Sequence, residues 1–159
     1  MQEKNYVQML IQSLKKKITV LDQIIQDNEK QTQILRMDEV DMDAWNLIVD
    51  QKASKIDEIN FLDEGFEDVY DRVKEDLLEH RSEYAQQVLI LKELVGSITE
   101  RSMKIQVEEQ RNKELAQKQF AHLRKEVRAL QQNNRAAEKY RKSMNNLNVV
   151  ESQFLDEKN

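Results

Sequence analysis

The chain runs for 159 residues without a single proline, and it holds only two glycines, Gly65 and Gly96. Sandwiches and barrels turn their corners on glycine and proline, which supply the positive or fixed φ angles of tight turns. A chain nearly bare of both is left with long helices joined by few turns, and its length suits one ordinary domain. Hydrophobic residues make up 39% of it and charged residues 35%. That is too apolar for a disordered chain and too polar for a large globular core. The expected fold is all-α: an elongated antiparallel bundle or coiled coil of three long helices, the last one extended.

Hydrophobic spacing locates the helices. Val7, Ile11, Leu14, Ile18, Leu21, Ile25, Asn28, Thr32 and Leu35 alternate steps of four and three, a heptad stripe on a helix over about Tyr6 to Leu35. Met9, Leu10, Val20, Ile24 and Ile34 widen that stripe, which favours burial against more than one neighbour. The acidic run from Met37 to Asp43 breaks the pattern, and its carboxylates suit the cap and the positive end of a following helix. Calcium binding of the EF-hand kind is excluded there, since the loop glycine and the twelfth-position glutamate are missing.

A second stripe follows through Met42, Trp45, Val49, Lys52, Ile56, Ile59, Asp63, Phe66, Tyr70, Val73 and Leu77. Trp45 is read as core rather than as a binding anchor. Asp63 beside Gly65 points to a kink or break. Ser82 is the expected N-cap of a third helix beginning at Glu83. With no glycine or proline stop after Ser97, that helix is expected to reach about Met144, on the order of 90 Å at 1.5 Å per residue. Its stripe steps four and four from Asn112 through Ala116 to Phe120, a stutter that shifts the inward face.

Charge is unevenly spread. Between Met37 and Glu79 there are 15 acidic and 4 basic residues, a net of −11, whereas Arg111 to Lys142 holds 10 basic and 3 acidic, a net of +7. Glu114, Glu126 and Glu138 interleave with those cations, so the stretch reads as a solvated helix face and no nucleic-acid partner is expected. No catalytic residues are assigned, because no convergent set of nucleophile, base and orienting group is present. His80 and His122 stand on different elements without zinc-site spacing, and the chain has no cysteine, so neither metal nor cofactor is expected. Met1 to Leu14 lacks a leader pattern and no run is long and apolar enough for a membrane span, which favours a cytoplasmic protein.

Helix length supplies the functional expectation. A first helix of about 30 residues covers only about 45 Å of a neighbour, about half of the third. Residues 1–112 are therefore expected to form the antiparallel bundle, and 113–144 an amphipathic extension whose exposed stripe needs a partner helix; the open alternative is a bend after residue 112 that folds this segment back as a fourth bundle helix. Its candidate contact residues are Ala116, Phe120, Leu123, Val127, Leu130, Ala137, Tyr140 and Met144. Residues 145–159 are read as a flexible tail.

The leading heptad helix, the acidic turn and the stretch from Asp43 to Lys52 (Asp-Ala-Trp-Asn-Leu-Ile-Val-Asp-Gln-Lys) resemble flagellar export chaperones of the FlgN type. Ser102 to Asn112 and the ending Gln153 to Lys158 are similar to members of that family as well. The resemblance implies a cytoplasmic type III export chaperone that binds amphipathic C-terminal helices of hook-filament junction proteins and delivers them to a component of the export gate. It also implies that the long C-terminal helix holds the client. Two other readings stay open: a filament-cap export chaperone of the same system, and a structural coiled coil that self-associates. Homo-oligomerisation is left open.

Overall fold

The computed structural model describes residues 2–129 and Arg141. Three helices account for nearly all of them: α1 (Gln2–Leu35), α2 (Met42–Glu79) and α3 (Ala85–Ala129). The protein is an all-α helical bundle, as the scarcity of turn residues requires.

Each boundary has a local cause. Asp41 caps α2, its Oδ1 accepting from the Ala44 amide at 3.1 Å while its carbonyl accepts from Trp45 at 3.0 Å. Asp43 adds a carboxylate in the first turn, where the helix dipole favours negative charge. The second turn is closed by His80 and Glu83, with Glu83 N–H donating to the His80 carbonyl at 3.1 Å. Here the expected start at Glu83 is corrected: α3 begins at Ala85, and the Tyr84 carbonyl accepts its first helical bond, from Val88 at 2.8 Å.

The described residues divide into two compact units, residues 2–27 with 50–106 and residues 28–49 with 107–129. In the first, α1 and α2 are antiparallel: Lys17 meets Asp63 whereas Asp27, ten residues further along α1, meets Lys55, eight residues earlier on α2. α3 is held to α1 by Arg101 on Asp22, at 2.7 Å. Val7, Leu10, Ile11, Val73, Leu77 and Tyr84 form the apolar core, with Phe66, Val69, Val88 and Leu91 packed around it. Leu10, Val20, Ile24 and Ile34 are buried, as the widened stripe of α1 requires, whereas Met9, read as part of it, is exposed.

α2 runs unbroken past Gly65, which corrects the expected break. Its inward row carries Leu62 and Val69 where the heptad reading placed Asp63 and Tyr70. Asp63 is exposed and pairs with Lys17 at 2.7 Å instead.

In the second unit, Ile34, Leu35, Trp45, Ile48 and Ala116 form the core. Trp45 is 1% exposed, so its reading as core holds. The tail 145–159 and the end of the 113–144 segment lie outside the described residues.

Candidate functional site

The second unit holds the described part of the segment expected to bind a client. Along it, α3 buries Glu108, Asn112, Ala116 and Phe120, each four residues after the last. Four residues turn the helix by about 400°, so the buried line drifts by about 40° per step and winds around the helix. This is the stutter read from the sequence.

Its exposure, however, is not as expected. Ala116 and Phe120 were placed on an uncovered stripe, yet they are 8% and 6% exposed. The reason is the register of α1 on α3. Asn28 meets Glu108 and Thr32 meets Asn112, so the two helices run parallel in this unit with an offset of 80 residues. The last turn of α1 and the first turns of α2 therefore lie against Ala116, which a comparison of helix lengths alone could not reveal. Phe120 also carries the Arg124 guanidinium over its ring, 3.7 Å from the centroid, a cation–π contact. Leu123 and Val127 are half-buried. Leu130, Ala137, Tyr140 and Met144 lie outside the described residues.

Beneath this region the core is polar. Asn112 Nδ2 donates to the Asn28 carbonyl at 2.9 Å, and Asn28 Nδ2 reaches Glu108 Oε1 at 3.4 Å. The Thr32 hydroxyl accepts from Arg111 Nη2 at 2.7 Å. Its single proton faces both Asn112 Oδ1 at 2.5 Å and the Asn28 carbonyl at 3.0 Å, and the shorter contact is the better placed. Asn28, Thr32 and Asn112 are at most 1% exposed. Any sliding of α3 along α1 would strand these groups without partners in a low-dielectric setting, so the layer fixes register. The sequence showed Asn28, Thr32 and Asn112 on the stripes but not that they meet.

A groove of about 360 Å³ opens beside this layer. α3 contributes Leu115, Lys118, Gln119 and His122, a single helical face at spacings of three, four and seven. Leu35, Arg36, Met37 and Asp38 contribute from the end of α1. Gln119 closes one side by donating its amide to the Leu35 carbonyl at 2.8 Å and the Met37 carbonyl at 2.9 Å. Apolar Leu35, Met37 and Leu115 thus stand among Arg36, Lys118 and His122, opposed by Asp38. His122 in turn pairs with Glu126 at 2.9 Å. Such a site suits an apolar side chain with an acidic neighbour.

Among the described residues no group of three or more His, Asp or Glu side chains could hold a metal ion, and no helix is long and apolar enough to cross a membrane. His80, in the first unit, belongs to a structural cluster. Asp76 accepts from the Tyr84 hydroxyl at 2.7 Å and pairs with His80 Nδ1 at 2.9 Å. The hydrogen bond to the Asp76 backbone carbonyl, aided by the charges of Asp76 and Glu83, raises the imidazole pKa above its usual 6.5 against the opposing effect of desolvation.

Three helices, capped turns and a register-fixing polar layer beside an open groove define the class: an all-α bundle that presents helix faces. A family model described as FlgN protein matches residues 1–147, and the chain belongs to the FlgN family. That family is one of flagellar export chaperones, and it is not known for enzymes. No curated protein and no solved structure gave a match.

Proposed function

We propose that this chaperone is a cytoplasmic carrier of hook-filament junction proteins, binding the amphipathic C-terminal helices of these clients, keeping them unassembled and handing them to the export gate. The observation that carries the reading is the groove at the end of α1, continued along α3 by the half-buried Leu123 and Val127. A client helix sets apolar anchors at i, i+3 and i+7 into such a row, and its acidic residues find Arg36, Lys118 and His122 at the rim. Residues 113–144 are the proposed client segment, in which Leu123, Val127, Leu130, Ala137, Tyr140 and Met144 serve as contacts. Ala116 and Phe120 support that surface from the buried side.

The test is co-purification of the full chain from flagellated cells, with bound proteins identified by mass spectrometry, beside a Leu123→Asp/Val127→Asp double variant. Recovery of hook-filament junction proteins by the parent chain and their loss in the variant, with the thermal midpoint nearly unchanged, is the expected result. Recovery of the filament-cap protein would assign the other client. A stable homo-oligomer without client would assign the structural coiled coil.

A further inference from the structure

Single apolar side chains in water are ordinary on protein surfaces, but Phe61 has an unusual setting. It lies on α2 in the first unit, 75% exposed, on the side of the helix away from the inward row of Ile59, Leu62 and Phe66. Its neighbours three and four residues away are Asp57, Glu58, Glu64 and Gly65, all exposed. A Cβ built on Gly65 would meet nothing within 4 Å, so the flank of the ring toward the helix C-terminus is open to a close approach.

The cations that could neutralise this surface are committed elsewhere. Between Asp50 and Glu79 there are eleven acidic residues and four basic ones, a net of −7. Lys55 pairs with Asp27, Lys74 with Asp71, Arg72 stands over the Tyr6 ring at 6.0 Å and Lys52 is buried. Among the described residues, Asp57, Glu58, Glu64 and Asp68 form no ion pair. An exposed aromatic ring among unneutralised carboxylates combines an apolar anchor with a field of one sign.

We infer that this face of α2 docks a basic amphipathic helix of another protein, with Phe61 set between its apolar side chains and the carboxylates meeting its lysines and arginines. None of the residues involved belongs to the groove or to the C-terminal part of α3, so the surface can be occupied or lost independently of client binding.

A synthetic amphipathic helix of lysine and leucine, about three heptads long, is a suitable probe. An equally charged peptide with serine in place of leucine is its control. Titrated against the full chain by fluorescence anisotropy, the lysine–leucine helix should bind, and more weakly as salt rises. Phe61→Ala should weaken that binding about tenfold or more, as expected when an aromatic anchor is lost. Charge reversal by Glu58→Lys with Glu64→Lys should weaken it too, and an unchanged thermal midpoint in each variant shows that the fold is intact. The serine control should bind weakly and ignore Phe61→Ala. No binding by the parent chain, or an effect of Phe61→Ala within about twofold, overturns the proposal. So does concentration-dependent self-association that Phe61→Ala abolishes, since the occupant would then be a second copy.

Discussion

The side-chain amide of Gln119 on α3 donates to the carbonyl of Leu35, the last residue of α1, at 2.8 Å, and also to the carbonyl of Met37 at 2.9 Å. α1 has no basic residue in its last turn to satisfy its terminal carbonyls, so the cap comes from another helix. Replacing Gln119 by alanine should cost about 1–3 kcal/mol in urea denaturation, the usual range for orphaned, partly buried acceptors. Glutamate should cost more than alanine, since it brings an anion to the negative end of α1.

The polar layer should behave as one unit. Asn112→Ala leaves the Asn28 carbonyl and Thr32 short of a partner, an expected loss of about 1–3 kcal/mol. Thr32→Val removes the other side of the 2.5 Å contact. Because both residues serve the same contact, the double variant should be more stable than the two single losses added together predict, with a coupling of about 0.5–3 kcal/mol. Additive losses in chemical denaturation would show that the two side chains do not act through each other.

Leu21 and Ile25 are adjacent positions of one heptad stripe but differ in burial. Leu21 is 5% exposed, whereas Ile25 is only partly covered. Leu21→Ala should therefore cost about 2–5 kcal/mol, with Ile25→Ala below it. Denaturation midpoints that fall in the reverse order would contradict this packing of α1.

His80 gives a pH dependence of known sign. Its folded pKa lies above the unfolded value of 6.5, because the protonated ring is favoured by the Asp76 carbonyl and by the charges of Asp76 and Glu83. Its stabilising contribution is fully present below 6.5 and is lost as pH rises through the higher folded pKa. Titration of the imidazole by NMR should show the raised pKa, and Asp76→Asn should lower it. The backbone bond survives that substitution, so part of the shift should remain.

Much of the fold is legible because a helix buried on one side writes its burial into spacing. The α1 stripe from Val7 to Leu35 shows this, and so does the acidic run that yields the Asp41 cap. The α2 stripe slipped by one residue at Asp63 and Tyr70 because steps of three and four can both be drawn there, and only contact with α1 selects Leu62 and Val69. Gly65 did not break the helix: its propensity cost is about 1 kcal/mol, small beside the packing of a long amphipathic helix. The groove was not legible at all. Its two walls lie some 80 residues apart in the chain, and periodicity carries no information about the register of one helix on another.

That separation has a consequence for synthesis. The contacts of Asn28 with Glu108 and of Thr32 with Asn112 span 80 residues each. They cannot form until α2 is complete and most of α3 has left the ribosome. α1 and α2 can pair much earlier, through contacts such as Asp27 with Lys55, 28 residues apart. Non-local contacts close late because a long loop must be ordered first. The unit bearing the groove should thus be the last to mature on a nascent chain, and binding competence should appear only near the end of translation.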